Sequence, residues 1–543
     1  MTPMAPTATT RNTLALANIG VAVAAFGVAT AMGLLQSLSI ADISFPMRSE
    51  ELYYLSVTAH GVLMALVFTT FFIMGLGYVI TQEGLGEIRG RTVGFIAYWL
   101  AVAGSVTTAV TILRGQATVL YTFYPPLQAH PLFYIGATLL VVGSWIWGGV
   151  IIASYRAWRR THPGVPAPLS VHGILASIIL WYLATTGLAI EVVGMLIPWS
   201  LGFMEKIDPL VARTYFWWFG HPLVYFWLLP AYVIWYTVLP RVAGGRLFSD
   251  PLARMAFILF LLLSTPVGFH HQFADPGIPA GWKLAHTILT YGVMYPSFMT
   301  AFTVIASLEV AGRLRGATGL FNWIGRLPWS EPTFASVALA MIAFTFGGFG
   351  GAINAAYAMN SMVHNTAWIM GHFHVTLGTT VALTFMGATY WLLPRLLGRQ
   401  LRFTWLARAQ PYLWFAGMSI FSVSYHIAGL RGLPRRVYSA SLTGDQGAPW
   451  HFLTVVAAQG GMLLFLSALC FVTVVIATWT SGKKIDAPPF EFAVPLRPPA
   501  ASIWDRFGLW TIVAIVLIAA AYAYPLAELL SHPRFGSPGF KPY

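Results

Sequence analysis

Residues 361–393 read SMVHNTAWIMGHFHVTLGTTVALTFMGATYWLL, an apolar run long enough to cross a bilayer, with His372 and His374 at its centre. Each residue of an α-helix turns by about 100°, so positions i and i+2 point roughly 200° apart and the two imidazoles face opposite sides of one helix. Imidazole is the commonest neutral metal ligand, and a polar group within hydrocarbon is expensive unless it has a partner. One helix is thereby able to serve two metal centres side by side. Taken alone, the pair is equally consistent with hydrogen bonds to neighbouring helices.

The rest of the composition fits a membrane. Of 543 residues, 57% are hydrophobic and only 9% charged, with a mean hydropathy of +0.70, which no soluble domain shares. Runs able to span ~30 Å of hydrocarbon recur from end to end. Thirteen are counted, near 14–40, 55–80, 92–113, 131–155, 170–196, 211–239, 253–272, 284–310, 332–353, 361–393, 406–430, 449–478 and 505–530. The expected fold is all-α, a polytopic membrane protein with about 13 transmembrane helices in one domain over residues 1–543.

The formal net charge of +13 raises the question of a nucleic-acid partner, and its distribution answers it. With the N-terminus inside, about 20 of the 30 Lys and Arg fall in inside-facing segments, among them Arg156, Arg159, Arg160, Arg241, Arg246, Arg254, Arg313, Arg315 and Arg326. That bias puts the N-terminus in the cytoplasm and, after an odd number of spans, the C-terminus outside. The opening MTPMAPTATTRN lacks the layout of a cleaved signal peptide, so the first span is expected to stay. Cys470, the one cysteine, reads as a small buried apolar residue; no disulfide, zinc cluster or thiolate copper centre follows from it.

Histidines within spans carry the chemistry. His60 lies about two turns into the second span and is followed by Gly61, which removes a side chain where a flat macrocycle would approach. A lone intramembrane His is more often a packing residue than a ligand. The sixth span, FWWFGHPLVYFWLLPAYVIWY, sets His221 and Tyr225 one turn apart on one face, with Pro222 breaking the local ladder; ordinary aromatic packing is the alternative. The seventh ends TPVGFHHQFADPG, where His270 and His271 are able to share a metal if the helix loosens. With His221 they make three nitrogen ligands and an open position, a set that suits copper or zinc. His130, His162 and His172 read as solvated. Counting spans alternately outward and inward brings His60, His221, His270, His271, His372 and His374 to one layer in the outer half of the membrane.

HPLVY, the HH of GFHHQFADPG, and HNTAWIMGHFH together resemble the signatures of subunit I of the heme–copper oxygen reductases, most of all the B-type branch of cytochrome c oxidases. The resemblance covers nearly the whole chain. It implies twelve core helices, here about 14–478, with one extra helix at about 505–530. It implies His60 and His374 as axial ligands of a low-spin heme of B type, His372 as ligand of a high-spin heme of A type, and His221, His270 and His271 as ligands of copper B. Tyr225 would be the tyrosine cross-linked to His221. An iron with two protein ligands only passes electrons, whereas an iron with one leaves a site for oxygen. Splitting O–O takes four electrons; two metals supply three, and a phenol beside the copper supplies the fourth with a proton.

The resemblance extends outward from the metals. Arg435 and Arg436, in GLPRRVY, suit heme propionates through charge-assisted hydrogen bonds, lipid headgroups being the alternative, and His364 is a further propionate candidate about two turns outside His372. Asn365 and Asn360 stand where relatives carry acids, so no extra divalent site is expected and a proton-loading role for position 360 is in question. Hydroxyls of Tyr232, Tyr236, Ser297, Thr300 and Thr303 line up as a single proton input route, although spanning Ser and Thr often bond their own backbone. The implied partners are a subunit II with a dinuclear copper centre, cytochrome c as donor, O2 and membrane lipid, with no nucleic acid; the implied location is a bacterial or archaeal plasma membrane. A nitric oxide reductase with iron in place of copper, and a heme-free transporter with histidine proton relays, are the competing readings.

Overall fold

The computed structural model describes residues 8–43, 49–439 and 448–543; the start of the polar N-terminal stretch lies outside them. Among the described residues, thirteen helices are long and apolar enough to cross a membrane. They are α1 (Thr13–Ile40), α2 (Glu50–Leu85), α3 (Arg91–Leu113), α4 (Pro131–Thr161), α5 (Leu169–Ser200), α6 (Pro209–Val242), α7 (Asp250–Gln272), α8 (Ala280–Leu314), α9 (Pro332–Ala355), α10 (Ala367–Leu397), α11 (Thr404–Leu430), α12 (Pro449–Ser481) and α13 (Phe507–Ser531). With no water available in hydrocarbon, helices satisfy every backbone group internally, which is why the apolar runs all take this form.

Local signals set many of the ends. Pro131, Pro209 and Pro332 occupy first-turn positions, where the missing N–H is no loss. Asp208 and Ser249 cap α6 and α7 by accepting from backbone N–H groups. Prolines inside helices free a carbonyl four residues back, and the structure reuses it: Pro230 leaves the Phe226 carbonyl open, and the Ser177 hydroxyl of α5 donates to it at 3.5 Å.

Sequential helices pack as antiparallel pairs, α3 on α4, α5 on α6, α9 on α10 and α11 on α12. Small residues bring the backbones together. A Cβ on Gly104 would sit 2.4 Å from the Gly136 carbonyl oxygen, and one on Gly460 would sit 2.7 Å from that of Gly417. The helix α6 is central, with 89% of its most apolar stretch buried, whereas α13 is peripheral at 22%. A short antiparallel pair, β1 (Lys206–Ile207) with β2 (Ser537–Pro538), ties the chain end to the loop before α6.

Three expectations need correction. The quoted run is not one helix from 361: a separate turn covers Tyr357–Val363, the chain breaks at His364–Thr366 with Asn365 at φ 58°, and Thr366 caps α10. Asparagine tolerates that left-handed conformation, so the break is local chemistry that hydropathy does not register. His172 is fully buried rather than solvated, and it lies against Arg254, which is buried as well. The Arg254 guanidinium reaches Asp250 at 2.6 Å, Asp505 at 2.8 Å and the Ala167 carbonyl at 2.8 Å, and His172 Nδ1 lies 3.4 Å from Asp505. Burial pushes the Asp505 carboxyl up, but His172 and Arg254 outweigh it and bring it to about 2. His130, too, acts locally, capping α4 by accepting from Leu132 N–H at 3.3 Å.

Candidate functional site

Two cavities, of about 530 and 200 Å³, lie side by side and share walls formed by Gly61, Tyr121, Phe373, Arg435 and Arg436. All six histidines named from the sequence line one or the other. His60 and His374 face the smaller; His221, His270, His271 and His372 face the larger, with Tyr225. The two imidazoles of α10 therefore point into different cavities, as their i, i+2 spacing on a helix dictates.

His60 and His374 confront each other with ring centroids 6.1 Å apart. Two imidazoles bound end-on to one metal at about 2.0 Å per bond hold their centroids about 6 Å apart, so the gap has the width of a single ion. Their far sides are committed: Nδ1–H of His60 donates to the Ala29 carbonyl at 2.8 Å, and Nδ1–H of His374 to the Met370 carbonyl at 2.8 Å. With the proton held at Nδ1, each Nε2 lone pair is free for a metal. Each helix has a π-helical turn beside its histidine, Leu63–Phe68 in α2 and His374–Thr379 in α10, a local widening that often accompanies functional sites. Glycines clear the room. A Cβ on Gly33 would stand 3.0 Å from the His60 ring, and one on Gly61 would stand 2.4 Å from Tyr121.

Across α10, His372 stacks near Trp368 at 5.5 Å, and its Nδ1 is 3.3 Å from the Thr376 hydroxyl oxygen, which itself donates to the His372 carbonyl. Gly350 of α9 is required there, since a Cβ would come within 2.4 Å of His372 Nδ1.

The three remaining imidazoles offer ligand atoms all within 4.8 Å of one another. Three nitrogens at about 2.0 Å from one ion are at most about 4 Å apart, so a slight closure completes the set. His271 Nε2 is already 3.4 Å from His221 Nδ1. The loosening expected of α7 is present: its regular helix ends at Ser264, and a 3₁₀ turn over Phe269–Gln272 presents the adjacent pair. Trp217 lies flat on His271 at 3.8 Å, and the Thr290 hydroxyl, which donates to the His286 carbonyl, accepts from His270 Nδ1 at 3.1 Å. His270 is thereby left with Nε2 free. Tyr225 sits 5.2 Å from His221, ring to ring, and His221 Nε2 is buried without a hydrogen-bond partner.

At the end of the cavities where α10 begins, Arg435 and Arg436 line both, and among the described residues each has a buried Nε with no partner. Arg435 donates to the Tyr121 hydroxyl at 2.8 Å and Arg436 to Thr122 at 3.4 Å; among the described residues neither guanidinium meets a carboxylate. Burial alone would push the Tyr121 phenol up, yet the two guanidiniums beside it outweigh burial and bring it down to about 8. Buried cations call for anionic partners, and the two unpartnered Nε–H groups face into the cavities. The segment is pinned by backbone bonds from Ala367 N to the Leu433 carbonyl and from Arg435 N to the Asn365 carbonyl. His364 also lines the larger cavity, with its pKa lowered by burial, and Asn360 is buried there, donating to the Asn354 carbonyl.

The candidate proton route is partly joined. Tyr236 donates to Thr300 at 2.7 Å, while Ser297 and Thr300 donate to their own backbone at Val293 and Pro296. Among the described residues, the buried hydroxyls of Tyr232 and Thr303 have no partner within hydrogen-bonding distance. Thr290, Gly350 and Gly33 do not stand out by residue type, whereas His286, a histidine inside the eighth span with Thr290 four residues further along the same helix face, is a further site residue that its residue type and spacing mark.

A family described as cytochrome c and quinol oxidase polypeptide I matches residues 13–463. Cytochrome c oxidase subunit 1 of Thermus thermophilus is 43% identical over 520 residues, covering 93% of this chain and 92% of that protein. A probable quinol oxidase subunit 1 of Staphylococcus epidermidis is 25% identical over 83% of this chain and 65% of its own length. A solved heme–copper terminal oxidase dimer superimposes with a TM-score of 0.94 at 38% identity, covering 98% of this chain and 95% of that one. With thirteen spanning helices and this degree of likeness along its length, the chain belongs to the cytochrome c and quinol oxidase polypeptide I family, the membrane-embedded oxidoreductase subunit I of the heme–copper oxidases.

Proposed function

We propose that this chain is the catalytic subunit of a B-type terminal oxidase that reduces O2 to water with electrons from cytochrome c, delivered through a partner subunit carrying a dinuclear copper centre, and that moves protons across the membrane. The observation that carries this reading is the gathering of His221, His270 and His271 in one cavity with the Tyr225 phenol beside His221 and His372 on the wall. His60 and His374 would be the axial ligands of a low-spin B-type heme, His372 the ligand of a high-spin A-type heme, and the three gathered imidazoles the holders of copper B. When bound, these groups carry electrons and offer the open coordination position that O2 chemistry needs.

The chain's own residues supply the rest. Carbonyls of Ala29 and Met370 hold the two facing imidazoles in one tautomer. The apolar lining of the larger cavity excludes water. Tyr225 presents a proton and an electron at the cavity from a position one helical turn below a copper ligand. Arg435 and Arg436 would neutralise propionates, and the neutral imidazole of His364 would donate a hydrogen bond to one. The linked pair Tyr236 and Thr300, with Tyr232, Ser297 and Thr303, would bring protons inward, the unpartnered hydroxyls being those with hydrogen-bonding capacity left for water. The reading treats residues 1–543 as one membrane-embedded unit in a bacterial or archaeal plasma membrane, N-terminus cytoplasmic and C-terminus outside.

A redox difference spectrum of the purified complex with carbon monoxide, combined with iron and copper counts, tests it. Two hemes, one of them reactive with carbon monoxide, and one copper B are expected beside the copper of the partner subunit. Non-heme iron in place of copper B would turn the assignment to nitric oxide reduction, and a protein without heme absorption would turn it to transport.

Two further outcomes are expected. Gly350→Ala should weaken or abolish the carbon-monoxide-reactive heme signal while leaving the other, because its methyl group meets the His372 ring at 2.4 Å; a wild-type spectrum would contradict the role given to His372. Arg435→Gln should lower a heme midpoint potential on the order of 50–100 mV, since removing one partly desolvated charge near the oxidised form changes its energy by about 1–2 kcal/mol. Redox titration reads this directly, and potentials unchanged within error would place the propionates elsewhere.

A further inference from the structure

His286 on α8 is fully buried and belongs to none of the roles above. Its Nδ1 accepts from the backbone N–H of Gly268 at 3.1 Å and of Phe269 at 3.3 Å, the two residues immediately before His270. Two donors aimed at one nitrogen leave Nε2 as the protonated position, and that N–H donates to the Ala521 carbonyl of α13 at 3.3 Å. The acceptor is open for a reason written in the sequence. Ala521 lies four residues before Pro525, and proline has no N–H to return to it. The ring is further fixed by Phe269, stacked at 4.1 Å, and by the edge of Tyr522 at 5.2 Å. Tyr522 also packs onto the turn itself: a Cβ on Gly268 would lie 2.3 Å from its hydroxyl.

The same residue governs the His270 ring from the other side. The His286 carbonyl accepts from the Thr290 hydroxyl at 2.6 Å, and Thr290 holds His270 Nδ1 at 3.1 Å. The helix α13, although peripheral, is anchored at both ends, by Asp505 against the buried Arg254 and by the pairing of β1 with β2.

We propose that His286 is a positioning residue that couples α13 to the copper-ligand turn, so that the thirteenth helix acts as an arm setting the position of His270. This rests on the reading of His221, His270 and His271 as copper ligands. The side chain needed is one that accepts at one end and donates at the other across the gap between the turn and the Pro525-freed carbonyl. Leucine supplies neither group, whereas the glutamine amide supplies both.

The test uses the purified complex in wild-type, His286→Leu, His286→Gln and Pro525→Ala forms, read by copper and iron content and by the infrared band of carbon monoxide bound to copper after photolysis from the heme. For His286→Leu we expect copper B per heme to fall at least about twofold and the copper–carbonyl band to broaden or split, with both heme spectra retained. His286→Gln should restore copper content and a single band. Pro525→Ala, which returns a competing N–H to the Ala521 carbonyl, should shift the band in the direction seen for His286→Leu and carries the test alone if the leucine variant does not accumulate. A His286→Leu band and copper content identical to wild type, or in its absence an unshifted Pro525→Ala band, would overturn the coupling. Absence of copper B from the wild-type complex would instead overturn the copper reading on which the coupling rests, so the two failures are distinguishable.

Discussion

His372→Ala is expected to erase the carbon-monoxide-reactive heme signal and reduce oxygen consumption below roughly 1% of wild type, while most of the low-spin spectrum survives. The selectivity follows from helix geometry. His374 is only two residues away, yet it faces the other cavity, where its Nδ1–H is held by the Met370 carbonyl and its ring confronts His60. Truncating His372 removes the protein nitrogen on the larger-cavity side of α10 and leaves that second pair intact. Spectra of the reduced protein with and without carbon monoxide measure both centres in one sample. If both heme signals persisted unaltered, the assignment of His372 would be wrong; if both vanished, the two faces of α10 would not be independent.

Tyr225→Phe is expected to keep iron and copper at wild-type levels and lower turnover by about 10²-fold or more, the range of a positioned proton donor before any electron-donor role is added. Phenylalanine preserves the ring that packs 5.2 Å from His221 and 5.7 Å from Phe260, so packing and stability change little. What is lost is the hydroxyl. Metal analysis together with oxygen-electrode measurements separates a structural loss from a chemical one, and wild-type consumption in this variant would remove the phenol from the proposal. A parallel Tyr236→Phe substitution breaks only the 2.7 Å link to Thr300, a hydrogen bond worth about 1 kcal/mol, and provides the contrast between a residue at the cavity and one along a path toward it.

The parts of this protein that could be read from sequence are those governed by local periodicity and by the cost of polar groups in hydrocarbon. Thirteen apolar runs became thirteen helices, because a bilayer leaves the backbone no other way to satisfy itself. The opposite facing of His372 and His374 follows from the 100° turn of a helix, whatever surrounds it. The adjacent His270 and His271 at a loosening helix end, and Tyr225 one turn from His221, likewise depend only on neighbours in sequence.

Contacts between distant segments were decided by the tertiary structure alone. Spacing along the helix offers Arg254 only Asp250, four residues earlier; Asp505 and Ala167, which complete the buried ionic cluster, come from distant parts of the chain. His172 was misjudged for the same reason. The break at His364–Thr366 depends on a left-handed Asn365 and on the strap of Leu433–Arg436 across it, neither of which changes hydropathy. Gly350, Thr290 and His286 matter because of the atoms they meet across helix interfaces, and residue identity along one helix carries no record of what the next will bring. Sequence alone therefore determined the succession of long apolar helices and the face on which each key imidazole lies. The packing of helices far apart in the chain determined which imidazoles meet, which nitrogen of each is free, and which outer residues hold them there.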